Sequence, residues 1–275
     1  AEFMEYYKKE TNQALISCGG GELMCEILEY IDFGQLKRLP PKWFMGYSDN
    51  TNLIFLLATL TDTAAIYGPN VGAFGMEPWH ASIQDAYELL QGKKFEMQNY
   101  PMWEKESLKD EQHPLAAYHV TEPFLLHTNK KEGESFKIEG RLLGGCLDCL
   151  SHLRGTKFDK VKEFNQKYED DGILWFLESC DLNVFEMRRT LWSLKQAGWF
   201  DTCRGFLIGR PGVQGQIIAG LDQYEAVLSI LSEFDVPIFM DLDIGHVAPM
   251  MPLICGSYGK VTVVGNDCCI AMSLQ

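Results

Sequence analysis

No apolar run in the 275-residue chain approaches a membrane span: the best, around Leu53 to Leu60, falls far short of the ~20 residues a helix needs. Basic residues are scarce. The 24 Lys and Arg stand against 38 Asp and Glu, a net charge of -14, which disfavours nucleic-acid backbones and anionic membranes as partners. The N-terminus has no charged-then-apolar signal pattern and no initiator methionine, and Ala1 to Asn12 looks like the tail of a helix. Nothing resembles a disulfide framework. The cysteines number nine, an odd count scattered through apparent strands and helices, so reduced thiols in a cytoplasmic protein are expected. No repeat or low-complexity segment interrupts a composition ordinary for a globular chain, long enough for one large domain or two modest ones.

What is present is organised around Lys42 to Leu60. Trp43, Phe44 and Met45 suit a short buried strand; Gly46 breaks it, Ser48 follows, and Asp49-Asn50-Thr51-Asn52 offers a choice of N-caps. Leu53 to Leu60 is apolar on every face and suits a helix packed inside a domain. A serine at such a strand-to-helix joint is aimed at free helix amides, which can hold an oxyanion. Ser48 therefore reads either as a nucleophile or as a capping residue of a β-α turn. Gly-Tyr-Ser-Asp-Asn lacks the second glycine of the hydrolase G-x-S-x-G elbow.

Along the chain, Ala14 to Ser17 is expected as a strand running into Gly19-Gly20-Gly21, then a helix from Glu22 to about Ile31 with Leu23, Ile27 and Tyr30 on one face. The triple glycine lacks P-loop or dinucleotide spacing. Ala64 to Tyr67 reads as a strand and Ser82 to Leu90 as a helix. Lys93 to Ser135, polar and punctuated by Pro101, Pro114 and Pro123, reads as a connection with Trp103 as its one large anchor. A strand near Phe136 to Leu142 precedes Gly144-Gly145 and a helix carrying Leu147, Leu150 and Leu153. Further strands are expected at Ile173 to Leu177, Gly205 to Ile208 and Pro237 to Met240. Between them come a helix capped by Asn183, with Met187, Leu191 and Leu194 on one face, and another over Tyr224 to Phe234. Val261 to Val264 and Cys268 to Met272 flank a hairpin turn at Gly265-Asn266-Asp267. The alternation predicts α/β architecture: residues 1–95 as one lobe, 96–135 as a linker and 136–275 as a second lobe.

In such sheets ligands collect beyond the carboxyl ends of strands. Ser48, Glu178 and His246 all fall at or just after such ends, and a carboxylate orienting a histidine that deprotonates a serine is the logic of acyl transfer. Helix-entry and loop roles remain the plain alternatives for Glu178 and His246. His80, His113, His119 and His127 lie in or beside the irregular middle, where solvated roles are expected. Cys146-x-x-Cys149 with His152 has the residue types for zinc or redox chemistry, but no second close Cys pair completes it, since Cys268 and Cys269 point to opposite faces of a strand. Core packing is the reading for those helical cysteines.

Taken together, Cys18-Gly19-Gly20, Gly46-Tyr47-Ser48-Asp49, Gly68-Pro69-Asn70, Gly140-Arg141-Leu142 with Gly144-Gly145, Ile173 to Glu178, and Gly245-His246 with Pro249 resemble the LD-carboxypeptidase family, which includes the microcin C self-immunity peptidases. The resemblance covers nearly the whole chain in order. It implies a Rossmann-like N-terminal α/β lobe carrying nucleophile Ser48, and a C-terminal lobe carrying Glu178 and base His246. The oxyanion hole would be the amides of Asp49 and Gly20, with Gly19, Gly145 and Cys146 beside the substrate. No metal or other cofactor is implied, so chelators should leave activity intact. The implied substrate is a murein tetrapeptide cut before its terminal D-alanine in the cytoplasm during cell-wall recycling; a homodimer is implied by the resemblance alone.

Three departures stand out. Gly21 replaces a larger residue, which widens the pocket. Cys146 stands where asparagine is common, removing a polar substrate contact. The chain also begins inside the family pattern, which implies a truncated start and an exposed sheet edge. A rival within the family is a hydrolase of aminoacyl or peptidyl sulfamoyl adenylates, with Trp79 or Trp103 as an adenine platform. A rival from another class is a non-catalytic carboxylate- or nucleotide-binding protein using Gly19-Gly20-Gly21.

Overall fold

The structure, a computed structural model, describes residues 2–130 and 134–274. Residues 131–133 of the expected linker, and the first and last residues, lie outside the described residues. The fold is mixed α/β, built on two large sheets, with a two-stranded antiparallel ribbon of Met102–Trp103 and Glu122–Pro123 in the expected linker. The first sheet holds three short parallel strands, Ala14–Ile16, Trp43–Gly46 and Ala65–Tyr67, and takes Leu253–Cys255 antiparallel onto Ala65–Tyr67. The second runs in the order Glu96–Gln98, Asp267–Ser273, Tyr258–Val264, Ser135–Cys146, Ile173–Glu178, Cys203–Gly209, Ile238–Leu242, His127–Thr128. Its four strands from Ser135–Cys146 to Ile238–Leu242 are parallel to one another, and the outer ones are antiparallel.

Composition explains the division. Ile173–Glu178 is buried at every position, as a central parallel strand covered on both faces must be. Tyr258–Val264 and Asp267–Ser273 instead alternate buried with more exposed residues, and they meet at the expected turn, where Gly265 takes a φ of 60°.

Thr51–Thr61 is the all-apolar helix, with Leu53 through Ala58 all buried, and it packs on Ala65–Tyr67 and on Ser135–Cys146. It therefore joins the two sheets, and each of its fully buried Leu, Ile or Phe side chains contributes about 1.5–3 kcal/mol. Phe55 extends the junction by stacking on Trp199 at 5.2 Å, which in turn stacks on Trp175 at 5.9 Å.

The expected helix over 22–31 is instead a four-residue α turn, Met24–Ile27, followed by a 3-10 turn, Leu28–Tyr30. Only Leu28 turns inward, while Leu23, Ile27 and Tyr30 are 62%, 49% and 76% exposed. The spacing was amphipathic, but the short turns present it to solvent. Gly144 and Gly145 lie within the strand Ser135–Cys146 and not after it. Helix Val161–Lys167 and strand Leu253–Cys255 had no expected counterpart. Among the described residues no helix is long and apolar enough to cross a membrane.

Candidate active site

The strand Trp43–Gly46 delivers Tyr47 in extended backbone, and Ser48 then takes a φ of 64° at the head of a 3-10 turn leading into Thr51–Thr61. That left-handed conformation costs a serine about 1–2 kcal/mol, so the surroundings must impose it. The constraint comes from the polar residues expected as caps. Asn50 is the N-cap of the helix but makes no side-chain capping bond; its Nδ2 donates to the carbonyls of Gly19 and Tyr47, both at 2.9 Å. Asp49 accepts from the Met24 amide at 2.9 Å and from Asn52 Nδ2 at 2.8 Å. These bonds fasten the glycine turn to the serine turn. At Gly20 a Cβ would stand 2.9 Å from Ser48 Oγ, so only glycine lets the two turns approach this closely. Gly19 faces open space, and its carbonyl also accepts from Ser17 Oγ at 2.8 Å.

Glu178 closes the central strand of the second sheet and is buried. Its Oε2 lies 2.9 Å from His246 Nδ1, and Tyr67 donates its hydroxyl to Oε1. The loop bearing His246 leaves the strand Ile238–Leu242 through Gly245, whose φ is 97° and where a Cβ would collide with the Glu178 carboxyl. Arg210 anchors that loop, pairing with Asp243 and donating from Nη1 to the Asp241 carbonyl at 2.7 Å, both carboxylate residues being buried. Tyr47, next to the serine, packs its ring on the imidazole at 5.0 Å. Burial alone would lower the His246 pKa, but hydrogen bonds to the Cys180 thiol and to Glu178 outweigh it and raise it to about 11.

Glu178 and His246 are thus joined directly, and Ser48 adjoins the residue that packs on the imidazole. Among the described residues no hydrogen bond links Ser48 to the ring, whose side-chain hydrogen bond goes to Glu178. Ser48, Asp49, Gly21, Cys146, Cys149 and Cys180 line a cleft of about 70 Å³. Gly145 backs onto Thr51, whose hydroxyl accepts from the Cys146 amide at 3.0 Å. Asp148 braces the cleft wall, accepting from the Cys180 and Asp181 amides at 3.1 and 3.0 Å. His152 lines the same cleft, yet the donors that converge are Cys146, Glu178 and His246, within 4.8 Å of one another. Tyr67, Cys180 and Asp148 escaped the sequence reading. Tyr67 carried a signal, since it too ends a buried strand, before Gly68-Pro69.

The remaining candidates lie elsewhere. His80 caps helix Ala81–Leu90, and His127 sits 2.7 Å from Asp241 and packs on Tyr224. Trp103 donates to the Pro123 carbonyl at 3.1 Å and stacks under Arg210, while Trp79 packs on Phe74 and Tyr87. A larger cavity of about 540 Å³, lined by Trp43, Ala64 and Arg141, opens at the opposite strand ends from Ser48. Its arginine is already engaged by Asp171 at 2.7 Å.

A buried carboxylate holding an imidazole, and a backbone-strained serine, both stand at strand ends of this α/β fold. The chain belongs to the LD-carboxypeptidase family: residues 1–68 match the family's N-terminal domain and residues 139–261 its C-terminal domain. The microcin C7 self-immunity protein MccF of Escherichia coli is 25% identical over 259 residues, covering 93% of this chain and 72% of that protein. Among solved structures, an MccF-like protein from Streptococcus pneumoniae in complex with AMP superposes with a TM-score of 0.78 at 21% identity, covering 99% of this chain and 82% of that one. The muramoyltetrapeptide carboxypeptidase from Oxalobacter formigenes gives 0.74 at 18% identity, covering 99% and 81%.

Proposed function

We propose that this chain is a serine peptidase that releases a terminal D-residue from an L-D amide of a murein-type peptide. The observation that carries the reading is the Glu178–His246 hydrogen bond, with the Tyr47 ring next to Ser48 packed on the imidazole, at the strand ends of a chain from this family. In the mechanism, Ser48 attacks the carbonyl of the L-centred residue. His246 takes the serine proton and passes it to the leaving amine, Glu178 holds the ring by Nδ1, and water then opens the acyl-enzyme. The amides of Asp49 and Gly20 are the candidate oxyanion donors. Before that, the imidazole must come within reach of Ser48 and give up its proton. Such tightening on substrate binding is common, because catalytic hydrogen bonds are often loose without substrate.

The test is a side-by-side assay of a tetrapeptide ending in D-alanine and an aminoacyl sulfamoyl adenosine. Release of D-alanine is the expected result. The MccF relatives favour the second substrate, and exclusive hydrolysis of the sulfamoyl compound would move the assignment to that class. Binding without turnover of either, with Ser48 inert to an acylating probe, would leave a non-catalytic binding protein.

A further inference from the structure

Ser48 and His246 hang from different sheets, and Tyr67 touches both halves. It closes the strand Ala65–Tyr67 of the first sheet, in register with Gly46, two residues before Ser48. The Gly68 amide, next in the chain, donates to the Gly46 carbonyl at 2.9 Å. The side chain of Tyr67 leaves that sheet for the other one. Its ring packs on Phe176 at 5.6 Å, and its hydroxyl donates to Glu178 Oε1. All three side chains are buried.

The surroundings of Glu178 show what that bond controls. A Cβ at Gly209 would stand 3.0 Å from the Glu178 Cβ, and one at Gly245 would collide with the carboxyl, so backbone closes on the glutamate from two sides. Oε2 meets His246 Nδ1, and among the described residues Tyr67 supplies the other hydrogen bond of the carboxylate. The last torsion of a glutamate is soft, so a second bond is what fixes the carboxylate plane. Burial and the adjacent carboxylate push the Tyr67 pKa well above its ordinary 10, so the phenol keeps its proton and stays a donor.

We infer that Tyr67 is a positioning residue: by fixing the plane of the Glu178 carboxylate it holds the His246 ring for Ser48 and sets the serine half of the site against the histidine half. Without the hydroxyl, Oε1 is buried and unpaired, and the carboxylate gains by turning toward another donor. The ring then loses its fixed partner at Nδ1. The effect on rate rests on the proposed peptidase function, but the hold on the imidazole does not, so it is read without turnover.

Tyr67→Phe keeps the ring and its packing and removes only the hydroxyl. In the proton spectrum of the full chain labelled with ¹⁵N-histidine, the Nδ1 proton of His246 should give a downfield resonance that His246→Gln lacks. Tyr67→Phe should broaden it beyond detection at a temperature where the parent shows it. With a D-alanine-terminated tetrapeptide, kcat of Tyr67→Phe should fall at least tenfold while KM stays within twofold. On a Glu178→Gln background the same substitution should change kcat by less than twofold, since the two residues act as one unit. Tyr168→Phe removes a hydroxyl bonded to Asp62 at the opposite strand ends, and should alter neither resonance nor rate. A parent without the resonance, or a Tyr67→Phe variant that keeps it, overturns the inference. So does a full tenfold loss on the Glu178→Gln background, or a rise in KM at constant kcat. Absence of turnover by the parent strikes the peptidase reading alone, and the resonance still decides whether Tyr67 holds the pair.

Discussion

Ser48 hangs from a sheet whose parallel strands are three or four residues long, whereas His246 follows the strand Ile238–Leu242 of an eight-stranded sheet locked by buried charge. On the serine side, position depends on a strained φ, a close Gly20, and side-chain bonds from Asn50 and Asp49 across to the glycine turn. On the histidine side, Arg210 ties Asp243 and the Asp241 carbonyl, while Asp241 itself accepts from Gln223 at 3.1 Å and Tyr224 at 2.7 Å. The difference teaches where change should register. Substitutions around the serine should alter rate with little effect on stability; substitutions beneath the histidine should alter stability first.

The largest expected effect tests the serine side. Ser48→Ala should lower turnover of a D-alanine-terminated tetrapeptide on the order of 10⁴-fold, about 5 kcal/mol of barrier, with unfolding free energy changed by no more than about 1 kcal/mol. A near-parental rate would remove serine catalysis. Next comes the histidine side. Arg210→Met leaves Asp243 buried and unpaired, and should cost about 3–5 kcal/mol in urea unfolding. A loss under about 1 kcal/mol would mean that the buried charges do not support the loop. Gly20→Ala sharpens the contrast, because its methyl would stand 2.9 Å from Ser48 Oγ and push the hydroxyl aside. We expect about a 10²-fold fall in kcat/KM, near 2.7 kcal/mol, with stability almost unchanged. Global unfolding by that variant would erase the distinction between the two sides.

How much of this was legible follows the same division. Trp43 to Met45, Leu53 to Leu60 and Ile173 to Leu177 announced themselves because burial over most or all of each segment leaves an apolar run. The strand-end placement of Ser48, Glu178 and His246 could be read for the same reason. The segment 22–31 misled because periodicity reports an apolar face without saying what covers it, and here solvent meets Leu23 and Tyr30. Leu253–Cys255 was invisible, being three residues long and paired with a strand nearly two hundred positions earlier. Cys180 and Tyr67 were missed because each acts on a residue distant in the chain, through contacts that only the packed sheets create.

The smallest effect lies on helix Ala81–Leu90, where His80 Nδ1 accepts from the Ser82 amide at 3.1 Å while the ring packs against Tyr100 and Tyr118. Burial lowers the His80 pKa from its ordinary 6.5, against an opposing pull from Asp85. The unfolded chain therefore takes up the proton first. The cap's contribution is present above about pH 6.5 and is lost as pH falls through the folded value. Protonation also removes the lone pair that accepts from Ser82. Asparagine at this position would cap the helix without titrating, so His80→Asn serves as the reference. Between pH 7.5 and 5 the parent should lose about 1 kcal/mol relative to His80→Asn in urea unfolding. A difference that stays flat over this range would mean that the imidazole is already solvated, and that the helix is held by its buried face, with Ile83, Ala86 and Leu89, without help from its cap.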